Sequence, residues 1–208
     1  MKEYKIMKRA MKIAAKRYFK RGSRHINYKS EFDYFTDNDM ACEKYLISVI
    51  KKHFPNDNIL SEETSSNTKL EGRTWVIDPI DGTHNYANGY DMCGIQVAFC
   101  EGKEAKLGLI YMPFKKEFYY AIKGKGTFLN NKKIKTKQDI KLKESLIIIS
   151  SLHHDPVIKD IRLNCMNNMF KDILSVRILG SACQEFADVL LGRVGGFFSI
   201  DKKLTQWD

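Results

Sequence analysis

The sequence lacks the usual features of a secreted or membrane protein. Its five cysteines are an odd number without a CxxC pair, which argues against a disulfide framework or a zinc site and favours reduced thiols. Its longest aliphatic run, Leu146 to Ile149, is far below the roughly 20 apolar residues that a membrane span needs. The lysine-rich start has no apolar core of the kind found in signal peptides. We therefore expect a cytoplasmic chain with no membrane partner.

Internal repeats and low-complexity segments are also absent, and an apolar content of 43% is enough for a sizeable core. We expect one folded domain over residues 1–208. The net charge of +10 suits a nucleic-acid backbone. However, the lysines are spread along the chain without a recognisable nucleic-acid-binding module, which favours a solvated surface.

The order of the hydrophobic patterns predicts the fold class. Helical spacing predicts one helix before residue 22 and a second from Thr36 to about His53. An antiparallel meander follows from residue 93 to about 133, and strands alternate with helices from residue 146 to 200. The predicted fold is thus α+β leading into α/β: a helix pair plus antiparallel sheet over residues 1–144 and a second α/β part over residues 145–208.

One stretch, from Trp75 to Asn85, concentrates polar side chains next to an apolar strand. Trp75 to Ile77 predicts the strand, and Pro79 is expected to end it because proline has no N–H and fixes φ. Asp78 is therefore expected at the tip of a strand.

The residues after Pro79 add further oxygen donors to the same place. Asp81 and Gly82 predict a turn, and Thr83 is a suitable N-cap for a short helix beginning near His84. Two carboxylates, a hydroxyl and backbone carbonyls in one small volume suit Mg²⁺, which prefers oxygen ligands. Two Asp residues at a strand end are also typical of an ordinary Asx turn, and this spacing alone favours the turn.

Carboxylates elsewhere are open to two interpretations. Thr36 and Asp39 form a capping-box-like start to the second helix. The helix macrodipole favours an acid there whatever its chemistry. Glu62 and Glu63 follow a short strand, where a pair of acids is either solvated or close to a metal.

Four short motifs together resemble the inositol monophosphatase family of Mg²⁺-dependent, lithium-sensitive phosphatases. Asp78-Pro-Ile-Asp-Gly-Thr83 with Asn85 is similar to the family signature. The other three are Ser61-Glu-Glu-Thr64, Thr36-Asp-Asn-Asp39 and the terminal Trp207-Asp208, which is similar to the start of the Trp-Asp-x-Ala-Ala-Gly motif. The resemblance implies the layered αβαβα sandwich of this family. Because the last motif only begins, it also implies that the C-terminal part of the sandwich is missing.

The resemblance further implies hydrolysis of a small phosphate monoester, such as inositol monophosphate or a related sugar phosphate, by metal-activated water. Two Mg²⁺ ions are implied and a third is allowed, and inhibition by Li⁺ is implied as well. We also expect inhibition by Ca²⁺, because it accepts more and looser ligands than octahedral Mg²⁺. The implied metal ligands are Glu62, Asp78, the carbonyl of Ile80, Asp81 and Asp208, with Glu63 supporting them from behind. The implied catalytic residues are Asp39, Thr83 and Glu62.

Substrate contacts come from the resemblance as well. Gly82, Thr83 and the backbone of Gly180, Ser181 and Ala182 are implied to hold the substrate, together with Asp201 on the hydroxyls of the leaving group. The first turn of the helix after Gly180 is expected to offer free N–H groups to this ligand. Lys29 is the approximate equivalent of a loop lysine in the family. We expect a homodimer, and the rival hypothesis is a scaffold of the same fold that binds RNA or the transcription machinery.

Overall fold

The computed structural model describes residues 1–20, 25–64, 69–136, 140–150 and 156–199. Asp201, Trp207 and Asp208 lie outside the described residues, as does the residue 200 end of the last predicted strand. The α-helices are α1 (Lys2–Tyr18), α2 (Asp37–His53), α3 (Thr83–Asn88), α4 (Pro156–Met169) and α5 (Ala182–Leu190).

The strands are β1 (Ile26–Ser30), β2 (Asp33–Thr36), β3 (Asn58–Ser61), β4 (Arg73–Asp81), β5 (Gly94–Glu101), β6 (Glu104–Met112), β7 (Glu117–Ile122), β8 (Gly126–Leu129), β9 (Lys132–Lys133), β10 (Leu146–Ile149), β11 (Ser175–Arg177) and β12 (Gly196–Phe198). A short 3₁₀ turn, Leu142–Glu144, precedes β10. This order confirms the predicted change from α+β to α/β.

The main core lies between the first two helices and a seven-stranded sheet of order β3-β4-β5-β6-β7-β8-β9. The buried face of α1 carries Met7, Ala10, Met11 and Ala14, spaced as one side of a helix. These side chains share a cluster with Leu46 of α2 and with the sheet residues Trp75, Ile95 and Phe99. From β4 onward the sheet is antiparallel, as predicted, whereas β3 pairs with β4 in parallel.

The expectation that Pro79 ends its strand is wrong. β4 continues to Asp81, and its pairing with β5 shifts register between Asp78 and Asp81. Proline is tolerated at such a bulge because the ladder there does not require its missing N–H. The bulge therefore absorbs Pro79 and carries the strand on to the second aspartate.

Residues 26–36 also differ from expectation. The sequence there shows no clear period and is typical of a loop, but β1 and β2 form an antiparallel hairpin that leads directly into α2. Within the part of the chain that the structure describes, this hairpin forms a separate two-stranded sheet and does not pair with the seven-stranded sheet. It places Lys29 over the end of β3, as described below.

A second, parallel sheet of order β11-β10-β12 follows, with α4 and α5 as its connecting helices. Ile147 and Ile149 of β10 pack with Met166 and Met169 of α4. α5 packs against the other face of the large sheet, where Cys183 and Ala187 contact Met112 and Tyr119. α5 thereby joins the two sheets, which decides where the cleft forms. Within the described residues no helix is both long and apolar enough to cross a membrane.

Candidate active site

The end of β4 forms the floor of a cleft of about 360 Å³. Asp78 and Asp81 are 2% and 6% exposed, and both line this cleft. The bulge between them frees the carbonyl of Ile80 from the ladder, and that oxygen accepts a hydrogen bond from Thr83 Oγ1 at 2.9 Å. The cleft is lined by Asp33, Tyr34, Glu62, Asp78, Ile80, Asp81, Gly82, Thr83, His84, Asn85, Ser150, Gly180, Ser181, Ala182, Glu185 and Ser199.

The turn after β4 differs by one residue from the predicted helix cap. Gly82, with φ of 72°, is the N-cap of α3, and Thr83 is its first residue. A left-handed φ is open to glycine at little steric cost. Because the helix starts one residue earlier than expected, the Thr83 hydroxyl points back at the bulge rather than capping α3.

Thr83 connects the bulge to the start of α2. Its Oγ1 lies 3.0 Å from Asp39 Oδ1 and 2.9 Å from the Ile80 carbonyl oxygen, and its single proton serves one acceptor at a time. Asp39 Oδ2 accepts from the N–H of Thr36 at 2.8 Å and from Thr36 Oγ1 at 2.5 Å. Asp39 is thus both the predicted capping residue of α2 and a neighbour of Thr83.

Burial controls the charge of Asp39. The carboxyl is fully buried, and this burial raises its pKa above the ordinary value, while hydrogen bonds from Thr36 and Thr83 oppose the rise. Asp39 does not itself line the cleft, and it reaches the cleft through Thr83.

Glu62 and Glu63 follow β3 and share one cation, Lys29 of the β1–β2 hairpin. Lys29 Nζ lies 3.1 Å from Glu62 Oε1 and 2.9 Å from the Glu63 carboxylate. Burial of Glu62 raises its pKa to about 7, and the nearby Glu63 adds to the rise while Lys29 opposes it. Although burial disfavours the ammonium of Lys29, the two glutamates together raise the Lys29 pKa above its ordinary value. Glu62 lines the cleft and Glu63 lies behind it.

Asp81 is the link between the two sheets. Its carboxylate accepts hydrogen bonds from Ser181 Oγ at 2.5 Å, from the N–H of Ala182 at 2.9 Å and from the N–H of Cys183 at 2.9 Å. The N–H of Ala182, expected to face a ligand, thus donates to Asp81 in this structure. Negative charge is favourable at this end of α5 because the helix macrodipole is positive there.

Three residues near these groups carry roles that the motifs did not reveal. Asn85 Nδ2 lies 2.8 to 3.2 Å from the carbonyl oxygens of Met92, Leu179 and Gly180. It therefore fixes the segment before α5 against the start of α3. Its position within the signature was the only signal in the sequence.

The other two are acids. Glu43 of α2 is fully buried, and it accepts from the N–H of Glu63 and from Thr64 Oγ1. It lies one helical turn after Asp39, a spacing that puts both acids on one face of α2. Glu185 is 4% exposed and lines the cleft from the first turn of α5. An acid among the apolar residues of a short helix is the signal that could have found it.

The donors in the cleft suit a hard cation in their chemistry. Glu62, Asp78, Asp81, the Ile80 carbonyl and the Thr83 hydroxyl all offer oxygen, the ligand that Mg²⁺ prefers. Within the described ranges no group of three His, Cys, Asp or Glu side chains is close enough to form a complete metal site. Lys29 and the first turn of α5 hold two of the carboxylates instead.

Comparison with known proteins gives one consistent result. The sequence model described as "Inositol monophosphatase family" matches residues 2–208. The chain is 30% identical over 205 residues to "Nus factor SuhB" of Pasteurella multocida, covering 97% of this chain and 75% of that protein. It is 31% identical over 198 residues to "Inositol monophosphatase 1" of Solanum lycopersicum, covering 93% and 72%. Among solved structures, the Thermotoga maritima IMPase superposes with a TM-score of 0.83 at 30% identity, covering 96% and 76%.

Proposed function

Since the chain belongs to the inositol monophosphatase family of phosphoric monoester hydrolases, we propose that it hydrolyses a small phosphate monoester with Mg²⁺ bound in the cleft. Inositol monophosphate or a related sugar phosphate is the proposed substrate. The observation that carries this proposal is the collection of oxygen donors around the β4 bulge: Glu62, Asp78, Ile80, Asp81 and Thr83 all line one cleft.

The metal ligands follow from this set. Glu62, Asp78, the Ile80 carbonyl and Thr83 would hold one Mg²⁺, and Asp78 and Asp81 would hold a second together with Asp208. Glu63, behind Glu62 and bonded to Lys29, would keep the first set in place. Bound Mg²⁺ supplies Lewis acidity, which neutralises charge on the phosphoryl oxygens and lowers the pKa of water.

Asp39 and Thr83 would orient the attacking water. When the Thr83 hydroxyl donates to Asp39 Oδ1, 3.0 Å away, its lone pairs can accept a hydrogen bond from water. Thr36 fixes Asp39 from the other side through two hydrogen bonds, so the acceptor cannot turn away. An acceptor held in place in this way would orient the water toward the phosphorus with little reorganisation at the moment of attack.

The leaving group would lie toward the second sheet. Gly82 and Thr83 form the near wall, and the backbone of Gly180 and Ser181 forms the far wall. Ala182 and Asp201 complete the proposed set. Asn85 stabilises this wall, because it ties the carbonyls of residues 179 and 180 to α3.

Two adjacent glutamates allow a matched test. Glu62 and Glu63 both contact Lys29, but only Glu62 lines the cleft. We expect Glu62→Gln to lower kcat/KM for inositol 1-phosphate by at least about 100-fold, because it removes a metal ligand, and Glu63→Gln to lower it by about 10-fold. EDTA should abolish the activity of the parent protein, and Ca²⁺ and Li⁺ should inhibit it. Full activity in EDTA would end the metal mechanism, and an equal loss in both variants would remove the distinction between the two glutamates.

A second candidate rests on the relative named "Nus factor SuhB" and on the charge of +10. We propose association with RNA or the transcription machinery as this alternative. Such binding depends on charge and not on metal ligands, so affinity for RNA should fall steeply with salt and survive Asp81→Asn. The homodimer and the cytoplasmic location stay predictions, and sedimentation of the purified protein measures the first of them.

A further inference from the structure

Glu185 is a buried acid whose surroundings do not account for it. It lies in the first turn of α5 and is 4% exposed, yet it belongs to the lining of the cleft. Burying an acid is costly unless its oxygens are hydrogen-bonded or its charge is paired. Within the described residues Glu185 forms no ion pair, and its place in the cleft lining makes a bound ligand a candidate partner.

The two sides of this carboxylate differ. Burial and the nearby charge of Asp81 raise the pKa of Glu185 to about 7, opposed by backbone hydrogen bonds from Gly180, Leu179 and Ser181. The carboxylate is thus anchored to the segment before α5. Its Oε1, by contrast, has no hydrogen-bond partner in the part of the chain that the structure describes. An unsatisfied buried acceptor costs about 1–3 kcal/mol, which a donor from a bound ligand would recover.

The wall around Glu185 indicates which donor this would be. The metal-side wall carries Glu62 and Asp78, whereas the wall around Glu185 carries the hydroxyl side chains Ser150 and Ser199, beside Ser181. The Ser181 hydroxyl already donates to Asp81. Ser150 and Ser199 directly follow the parallel strands β10 and β12. Ligands of α/β sheets bind at this carboxyl end of the strands. Serine hydroxyls and one unpaired carboxylate oxygen match a ligand that carries several hydroxyl groups.

We propose that Glu185 Oε1 accepts a hydrogen bond from a hydroxyl of the leaving group, which makes the enzyme selective for phosphate monoesters of polyols over those of alcohols without further hydroxyls. The inference rests on the proposed phosphatase function and adds a specificity residue to it. Glu185 binds substrate here, and it takes no part in the chemical step.

The test compares two substrates in one variant. In Glu185→Gln the amide oxygen can still accept from the backbone of residues 179–181, and its NH₂ group then puts a donor where the acceptor was. We expect the ratio of kcat/KM for inositol 1-phosphate to that for p-nitrophenyl phosphate, which has no hydroxyl on its leaving group, to fall roughly 10- to 100-fold, as for loss of a hydrogen bond to a charged group. Glu144→Gln, at a side chain that is 69% exposed, is the matched control and should leave the ratio unchanged.

Each other outcome overturns the proposal. An equal fall for both substrates, accompanied by a higher Mg²⁺ requirement, would place Glu185 with the metal ligands. An unchanged ratio of the two kcat/KM values would show that Glu185 binds no hydroxyl of the leaving group. If Glu185→Gln does not fold, the same two substrates are compared in Glu185→Asp, whose carboxylate is shorter by one methylene. If neither variant folds, Glu185 is a structural residue and the proposal is wrong. A parent protein that hydrolyses neither substrate with Mg²⁺ would instead reject the proposed function, before any variant is made.

Discussion

Gly82 follows β4 and lies close to the segment before α5 across the cleft, and replacing it should be costly. A Cβ on Gly82 would lie 2.8 Å from the carbonyl oxygen of Met92, 3.0 Å from Ser181 Cβ and 3.3 Å from the carbonyl oxygen of Gly180. Two of these three atoms belong to the backbone, which cannot rotate away as a flexible side chain would. Gly82→Ala therefore has to move the end of β4 away from both Met92 and the segment before α5.

The expected loss of stability has two parts. A non-glycine residue at φ of 72° costs about 1–2 kcal/mol. Overpacking of a tight contact adds about 1–3 kcal/mol. A total of about 3 kcal/mol corresponds to a fall in Tm of about 6–12 °C for a domain of this size.

Gly124 separates these two parts. It has nearly the same φ, 76°, but no atom lies within 4 Å of the position that its Cβ would take. Gly124→Ala should therefore lose only the conformational part, about 1–2 kcal/mol, which corresponds to a fall in Tm of roughly 2–8 °C. The difference between the two variants measures the contact of the β4 turn with residues 92, 180 and 181.

Thermal melts of both variants without metal provide the measurement, followed by melts and kinetics with Mg²⁺. Moving Ser181 also moves a donor to Asp81, 2.5 Å away, so Gly82→Ala should lose Mg²⁺-dependent activity as well as stability. Gly124→Ala should keep that activity. If the two variants melted within about 2 °C of each other, the close contacts at Gly82 would add no measurable cost to the free energy of folding. Such a result would refute the predicted overpacking.

Three further predictions concern charge. Asp81→Asn should lower the Tm of the metal-free protein by about 4–8 °C, or about 2 kcal/mol, because the asparagine NH₂ cannot accept from Ser181 and the N–H groups of α5; an unchanged metal-free melt would mean that these hydrogen bonds contribute nothing. The rise in Tm caused by Mg²⁺ should grow from pH 5 to pH 7 and level off above. This follows because Glu62, whose pKa rises from 4.5 to about 7 through burial, must lose its proton to bind metal. The same raised pKa means that the folded metal-free protein holds this proton more tightly than the unfolded chain, so its stability should fall as pH rises from about 4.5 to 7. Melts at several pH values with and without Mg²⁺ measure both, and a shift independent of pH would exclude Glu62 as a ligand.

Much of the fold could be predicted from periodicity and turn residues. The meander from β5 to β9 follows from alternating apolar residues, from Gly102 and from the Asn130–Asn131 turn, whose two residues both have positive φ. Turns and strands of this kind are determined by a few consecutive residues. The parallel pairing of β3 with β4 could not be predicted, because it depends on contacts between separate segments.

The misses at the site have a similar cause. Proline is a good predictor of a strand end, but at Pro79 the bulge removes the need for its N–H, and no single-residue rule contains that information. The sequence predicts Asp81 as a member of a carboxylate cluster but does not indicate its hydrogen-bond donors. These come from residues 181–183, about half the chain away, and only the tertiary fold brings them near.

This separation has a consequence for the order in which the molecule is made. The hydrogen bond from Cys183 to Asp81 spans 102 residues of sequence. At a synthesis rate of about 5–20 residues per second, Asp81 leaves the peptidyl-transferase centre roughly 5 to 20 seconds before its partners on α5 exist. The large sheet and its two helices consist of earlier residues and can assemble in that interval. For these seconds a nascent chain presents the β4 carboxylates without the helix whose N–H groups bind one of them. The active-site cleft is therefore among the last parts of the described structure to be completed.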